Sequence, residues 1–180
     1  GKRYCPYVTT FAGLYRYNMN DLLEAGPNFG GTPTVHLIQK VNGIVTLTGE
    51  KLHERQFISA VREAEREMNL PVRFFIGFAD LELLGYRFYY EFADQNTTQE
   101  QAAAFNTKVD EILQKVNVEY KTKRESLRLK EPLPYRLVEE SFEKFKAECI
   151  AEGARDGQFK LQILLQDEKR HEKFKKLVKE

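Results

Sequence analysis

Two adjacent stretches with the residue types of β-strands constrain the fold of this chain most. Val72–Ala79 and Tyr86–Ala93 are rich in aromatic and β-branched residues, and a turn near Leu84-Gly85 separates them. Such residues favour strands, and two strand-like runs joined by a short turn favour an antiparallel pair. In the second stretch an aromatic side chain recurs at every other position, which predicts one aromatic and buried face. We therefore expect a strand pair at the centre of the fold.

Helical patterns flank this pair in the sequence. The first runs from near His53 to Leu70-Pro71. The second opens with a predicted capping box, in which Thr97 and Glu100 would satisfy backbone amides that the first turn of a helix leaves free. Its apolar stripe is formed by Phe105, Val109, Ile112, Leu113 and Val116.

The remaining C-terminal sequence adds a strand and two more helices. Leu133–Val138 is predicted to be a strand, a third helix stops at Gly153, and a last helix surrounds His171. Glycine readily takes the left-handed conformation that terminates helices. This order of elements predicts an α+β fold, in which a small and mainly antiparallel sheet packs with helices.

The first forty residues are predicted to form a separate β-hairpin segment. Tyr4–Thr10 and Val35–Val41 have strand composition, and the glycine- and proline-rich residues 26–33 between them predict an exposed turn. Asn42-Gly43 then predicts a tight hairpin turn, with Ile44–Leu47 as its return strand. Forty residues cannot bury a core alone, so we expect this segment either to pack on the α+β fold or to belong to a body that is missing.

Composition excludes several classes of function. The 28 Lys+Arg and 27 Asp+Glu residues give a net charge of +1, which offers no electrostatic support for a nucleic-acid or membrane partner. No apolar run approaches the roughly 20 residues of a membrane span. The three histidines and two cysteines have no metal-site spacing, so we expect no metal. We expect a cytoplasmic protein with reduced thiols.

Four segments resemble one enzyme family, the auxin-responsive promoter family of acyl-acid amido synthetases, and its bacterial relatives. The family's ribose-binding motif is similar to "VTTFAGLYRYNMNDLLE". The hinge of the wider acyl-adenylate-forming superfamily is similar to "KVNGIVTLTGEKLHERQF". The family's Asn-x-x-Tyr-x-x-x-Arg segment resembles "NVEYKTKRESLRL", and its lysine loop resembles "EGARDGQFKLQ". The chain is identified as a C-terminal fragment of such an enzyme, from a bacterial relative.

This resemblance implies an ATP-dependent ligase. In the family, a carboxylic acid attacks ATP, expected with Mg²⁺, to give an acyl-adenylate, and an amine, typically of an amino acid, then displaces AMP. A large N-terminal domain carries the phosphate loop and acyl pocket, and a small C-terminal domain swings over it. We therefore expect residues 1–40 to be the edge of the missing large domain and residues 41–180 to be the lid. The fragment alone is expected to be inactive and to bind no cofactor.

The resemblance also implies roles for individual residues. Asp21 would accept hydrogen bonds from both ribose hydroxyls, and Arg16 would hold the nucleotide or fix Asp21. Tyr15 and Tyr17 would flank the base or pack inside, and we expect at least one of them to pack. Lys160 is the expected catalytic residue, because its ammonium would stabilise the charge that develops during adenylation.

Lys40 and Asn42 occupy the position of the superfamily hinge. Asn42-Gly43 would tolerate the backbone rotation that a hinge requires, although an ordinary hairpin turn is the alternative. The sequence departs from the family pattern at four positions, two of which hold arginine in relatives: Asn18, Asn20, Leu161 and Gln162.

A second hypothesis belongs to a different class of function, a free-standing interaction or single-stranded RNA-binding module. The stretch "LGYRFYYEF" is weakly similar to strands that stack bases, and "YKTKRESLRLK" would be an exposed basic segment. Glu91 and the near-zero net charge argue against this hypothesis. Core packing is the alternative role for the aromatic residues.

Overall fold

The chain divides into two units, residues 1–44 and residues 45–180. The computed structural model describes residues 2–19, 21–40, 43–153, 159 and 161–179, without the side chains of residues 39 and 40.

The first unit contains short antiparallel strands. These are β1 (Arg3–Tyr4), β2 (Tyr7–Val8), β3 (Tyr17–Asn18), β4 (Asp21–Ala25) and β5 (Val35–Lys40). Strands β4 and β5 form a hairpin that β1 extends, and β2 and β3 form a separate ladder. Phe29 and Thr32 exchange backbone hydrogen bonds of 2.9 Å in the turn between β4 and β5. The predicted β-hairpin segment is therefore present.

The second unit alternates strands and helices. Its elements are β7 (Leu52–His53), α1 (Glu54–Met68), β8 (Val72–Asp80), β9 (Gly85–Phe92), α2 (Gln99–Val116), α3 (Val118–Glu125), β10 (Leu133–Arg136), α4 (Ser141–Ala151), β11 (Leu164–Leu165) and α5 (Glu168–Lys175). They form a four-stranded sheet of order β10-β9-β8-β11 with its helices. The chain is thus α+β, as the sequence predicts. Within the described ranges, none of the helices combines the length and apolar character needed to cross a bilayer.

The long central strand pair of this sheet is antiparallel. Its register runs from Val72 opposite Phe92 to Asp80 opposite Gly85. The shorter outer strands join in parallel, β10 beside β9 and β11 beside β8. The antiparallel prediction therefore holds for the central pair, and the parallel edges are a feature that the sequence did not predict.

Side chains cover both faces of the central strands. On one face Phe57 of α1 stacks on Phe88 of β9 with ring centroids 4.4 Å apart, and α2 contributes Phe105. On the other face Phe145 of α4 and Phe174 of α5 lie 4.6 Å apart. The prediction of a buried aromatic face on β9 is confirmed. The opposite face is buried as well, because α4 and α5 form a second helical layer over the sheet.

The prediction that Ile44–Leu47 returns to pair with the preceding strand is wrong. A short strand, β6 (Ile44–Val45), pairs with β7 and not with β5. The reason is the buried carboxylate of Glu50, which accepts hydrogen bonds of 2.8 Å from the amides of Leu47 and Thr48. These bonds fold the chain back on itself before β7.

The ends of the helices differ from the prediction in one detail. Thr98, not Thr97, caps α2, with its hydroxyl accepting from the Gln101 amide at 3.2 Å. The side chain of Gln101 accepts in return from the Thr98 amide at 2.8 Å. Thr97 is instead buried and donates to the carbonyl of Asp94 at 2.7 Å. The capping box thus exists one residue later than predicted.

Candidate functional site

The predicted nucleotide motif lies on the β2–β3 ladder and at the start of β4. Thr10 and Leu14 close a turn within the motif, and the Thr10 amide lies 2.9 Å from the Leu14 carbonyl oxygen. The Arg16 amide donates to the Thr9 hydroxyl at 3.1 Å, and Arg16 takes a left-handed backbone with φ of 46°. A left-handed conformation is uncommon for arginine, and such outliers are enriched at functional sites.

Tyr15 and Tyr17 are both exposed, by 80 % and 54 %. The prediction that one of them packs inside is wrong, because the two-residue ladder that carries Tyr17 has no buried residue. Their rings, with the exposed side chain of Arg16, are open to a ligand. A phenol, a guanidinium and a carboxylate are groups that suit a base, a phosphate and a ribose.

Asp21 differs from these neighbours because it is only 7 % exposed. It is the first residue of β4, and its Cα partner across the hairpin is Lys40, the last residue of β5. The structure therefore places the predicted ribose-binding position opposite one predicted hinge position. The other hinge residue, Asn42, lies outside the described residues.

The catalytic candidate Lys160 also lies outside the described residues, but its sequence neighbours are described. Phe159 has its ring centroid 6.1 Å from that of Phe145, and Leu161 packs on the same aromatic cluster. Further along, the Ile163 amide donates to Glu54 at 2.6 Å. The flanks of position 160 are thus fixed to the core and to the start of α1.

Sequence reasoning missed a buried polar network around the Glu50 loop (residues 47–51). Glu50 is fully buried, and the Tyr86 hydroxyl donates to it in addition to the two backbone amides. Burial by itself would raise the pKa of Glu50, but the hydrogen bonds from Tyr86, Thr48 and Leu47 together lower it below its ordinary value. The loop thus folds around an ionised carboxylate.

Asn117 joins this loop to the junction of α2 and α3. Its side-chain oxygen accepts from the Tyr120 amide at 3.0 Å and so caps α3. Its side-chain nitrogen lies 3.1 Å from the Glu50 carbonyl, 3.4 Å from the Lys51 carbonyl and 3.1 Å from Gln56 Oε1. Two of the segments that resemble family motifs, 66 residues apart, therefore meet directly.

The rest of the Asn-x-x-Tyr-x-x-x-Arg segment contacts one buried carboxylate. Tyr120 donates to Asp110 at 2.6 Å, and Arg124 binds both oxygens of Asp110. The prediction that this whole basic segment is exposed is wrong, because α3 buries Tyr120 and most of Arg124. The signal was available, since residues at spacings of three, four and seven share one helix face.

The aromatic strand is closed to a nucleic acid. Tyr86, Phe88 and Tyr90 have no exposed surface. Bases stack only on exposed rings, so these three side chains cannot form the base-stacking surface that the RNA-binding hypothesis requires. Within the described part of the chain, no group of His, Cys, Asp or Glu side chains is arranged to hold a metal ion.

The fold matches that of a solved protein. The solved structure "GH3.15 acyl acid amido synthetase" superposes with a TM-score of 0.82 at 20 % identity, over 99 % of this chain and 33 % of that chain. The fold of the chain is thus one found in an acyl acid amido synthetase.

The sequence places the chain more narrowly. The chain belongs to the GH3 family, since the model of the "GH3 family C-terminal domain" matches residues 55–169 and that of the "GH3 family central domain" matches residues 1–40. The family expected from the four segments is confirmed.

Two relatives come from Arabidopsis thaliana. "Indole-3-acetic acid-amido synthetase GH3.4" is 27 % identical over 169 residues, covering 89 % of this chain and 28 % of the relative. "4-substituted benzoates-glutamate ligase GH3.12" is 25 % identical over 176 residues, covering 89 % and 30 %. The chain therefore spans less than a third of the length of these relatives.

Proposed function

We propose that the chain is the C-terminal part of an ATP-dependent acyl acid amido synthetase that joins a carboxylic acid to an amine. One observation carries this proposal. The GH3 C-terminal domain covers residues 55–169, and the relatives that match along 89 % of the chain are named as amido synthetases or ligases. One of these relatives is named as a glutamate ligase, which makes an amino acid the leading amine.

The nucleotide site of this proposal uses three exposed side chains and one buried carboxylate of the first unit. Tyr15 and Tyr17 flank the base, Arg16 holds phosphate or ribose, and Asp21 receives the ribose hydroxyls. The exposure of the tyrosines and the chemistry of the donor set support these roles. Asp21 is buried apart from a small exposed fraction, so a ribose would reach its carboxylate only through that fraction. When bound, ATP with Mg²⁺ supplies the adenylyl group that activates the carboxylic acid.

Lys160 is the catalytic residue in this proposal. A fixed ammonium next to a phosphate stabilises negative charge that develops during the reaction. The packing of Phe159 on Phe145 and the bond from Ile163 to Glu54 support the role, because they fix the residues on both sides of position 160. Lys40 and Asn42 form the hinge that carries the lid over the nucleotide.

The partner of this lid is the large N-terminal domain of the same polypeptide, which supplies the acyl pocket. The match of the GH3 central domain to residues 1–40 supports the assignment of that segment to the larger body, with residues 41–180 as the lid. A cytoplasmic location and a bacterial origin remain predictions. The fragment alone is expected to be inactive, and isothermal titration of it with AMP should show no micromolar binding.

ATP–pyrophosphate exchange in the full-length enzyme tests the proposal. The panel of acids should include indole-3-acetic acid and 4-substituted benzoates, because relatives are named for them. We expect exchange that depends on one acid and is lost in Lys160→Ala. Lys169→Ala, at an exposed position of α5, is the matched control and should keep the rate. Exchange that survives in Lys160→Ala would remove the catalytic role of Lys160, and a wild type inactive across a broad panel would remove the proposed function.

A further inference from the structure

The side-chain nitrogen of Asn117 lies near three hydrogen-bond acceptors. The side chain is buried, and its nitrogen faces three oxygens, the carbonyls of Glu50 and Lys51 and the side chain of Gln56. The two carbonyls belong to consecutive residues, so the amide binds two neighbouring backbone oxygens of the Glu50 loop. A buried donor that serves several acceptors holds them in a fixed arrangement.

The backbone of the Glu50 loop has an uncommon conformation that contacts with other residues must stabilise. Lys51 has a φ of 46°, in the left-handed region that a lysine rarely takes. Gly49, two residues earlier, has a φ of 101°. Such conformations persist where the surrounding structure fixes them. The carboxylate of Glu50 fixes the first half of the Glu50 loop, and the amide of Asn117 fixes the second half.

The Glu50 loop lies between two positions of the proposed mechanism. In sequence it begins five residues after the hinge position Asn42. After it, β7 leads directly to Glu54, whose side chain accepts from the Ile163 amide at 2.6 Å, three residues beyond Lys160. A stiff loop would therefore carry a rotation at the hinge to the segment of the catalytic lysine.

We propose that Asn117 is a positioning residue of the ligase. Its side chain holds the Glu50 loop to the junction of α2 and α3, so that the hinge and the segment around Lys160 move together. This role rests on the proposed function. Asn117 touches neither substrate nor nucleotide in this proposal, and it acts through the backbone of Glu50 and Lys51.

The variant that tests this role is Asn117→Ser in the full-length enzyme. Serine can still cap α3 by accepting a hydrogen bond from the Tyr120 amide. It lacks the amide group that donates to the carbonyls of Glu50 and Lys51. The matched control is Asn106→Ser. Asn106 is a buried asparagine of α2 and donates to the Pro132 carbonyl at 2.7 Å. It lies about 16 Å from Asn117, the residue that follows α2, at 1.5 Å per residue.

Two measurements distinguish positioning from stability. We expect hydrogen exchange of residues 46–52 to become at least tenfold faster in Asn117→Ser and to stay unchanged in Asn106→Ser. We expect kcat for amide formation to fall at least tenfold in Asn117→Ser with KM for the carboxylic acid unchanged. In Asn106→Ser, kcat should remain within twofold at a temperature where both variants are folded.

Equal loop exchange in wild type and Asn117→Ser, or equal kcat in the two variants, would overturn the positioning role alone. A wild-type enzyme inactive with every acid would instead overturn the proposed function. If Asn117→Ser does not fold, Gln56→Ala removes one of the three acceptors at a half-buried position. It should then give the same pattern with a two- to fivefold effect, and unchanged kcat and loop exchange would overturn the role.

Discussion

Arg124 and Asp110 form a buried ion pair between α3 and α2. Arg124 Nη2 lies 3.0 Å from Asp110 Oδ2, and Nε lies 3.1 and 3.2 Å from the two carboxylate oxygens. The two side chains are 15 % and 7 % exposed. Tyr120 donates to the same carboxylate, so two side chains of α3 bind one carboxylate of α2.

Removal of the guanidinium should therefore destabilise the second unit strongly. In Arg124→Ala the carboxylate of Asp110 stays buried without its cation, which typically costs about 3–5 kcal/mol. Urea denaturation measures the change. Lys121→Ala is the control, because the exposed pair of Lys121 and Glu125 at 3.8 Å should contribute less than about 1 kcal/mol. Equal losses in the two variants would contradict a structural role for the buried pair.

The buried carboxylate of Glu50 should make stability depend on acid pH. Because the fold lowers the pKa of Glu50 below its ordinary 4.5, the ionised form stabilises the fold above pH 4.5. This contribution is lost as the pH falls below 4.5 through the folded pKa. Glu50→Gln should be less stable than wild type at pH 7, and the difference should narrow toward pH 3. Urea midpoints at several pH values test this, with the exposed Glu100→Gln as control. A gap that stays constant with pH would show that the charge does not matter.

His171 should add a second pH dependence at higher pH. Its ring stacks on Phe78 at 4.9 Å, and Nε2 lies 2.9 Å from the Tyr89 hydroxyl. Burial, followed by the nearby charge of Lys175, lowers the pKa of His171 below its ordinary 6.5. The unfolded chain therefore binds a proton below pH 6.5 that the folded chain resists, so stability falls as the pH drops from 6.5 toward the folded pKa.

The variant His171→Phe should remove this dependence while keeping a ring against Phe78. We expect its stability to change less than that of wild type between pH 7.5 and pH 5.5 in thermal unfolding. His36→Phe, at an exposed position of β5, should keep the wild-type dependence. The interpretation fails if His171→Phe loses as much stability on acidification as wild type does.

Gly77 in the middle of β8 should tolerate no side chain. A Cβ there would lie 3.0 Å from Leu164 Cδ1 and 3.1 Å from ring atoms of both Phe57 and Phe88. Gly77→Ala should therefore cost about 1–3 kcal/mol by overpacking, as measured by urea denaturation. Gly85→Ala is the control, because its nearest atoms are 3.3 Å away on Leu83 and Lys130. A smaller loss of unfolding free energy in Gly77→Ala than in Gly85→Ala would show that Phe57 and Phe88 move to accommodate the added methyl group.

The sequence predicted the elements whose apolar pattern is strong. Helices α1 and α2 and strands β8 and β9 have that pattern, and each forms where it was expected. Helix α3 was missed because its anchors are mainly polar, Arg124 on Asp110 and the cap at Asn117. The pairing of β6 with β7 was missed because it depends on the buried charge of Glu50, which looks like an ordinary surface glutamate in the sequence.

The candidate site was predictable only through the resemblance to a family. Nothing in residue type or spacing separates Lys160 or Asp21 from other charged residues. Conversely, the contacts of Asn117 with Glu50 and Lys51 join positions 67 and 66 residues apart, and no local sequence pattern indicates such contacts. Family motifs thus indicated which segments matter, whereas three-dimensional contacts indicated what some of them do.

The second helical layer has a consequence for the order in which the molecule assembles. Among the residues that the structure describes, those that cover the face of β8 and β9 with Ile76, Phe78 and Tyr89 come from Tyr135 onward. During synthesis this apolar face therefore stays in contact with water until the residues after Tyr135 have left the ribosome. The early strands must wait for α4, β11 and α5, so completion of the core is a late and long-range event.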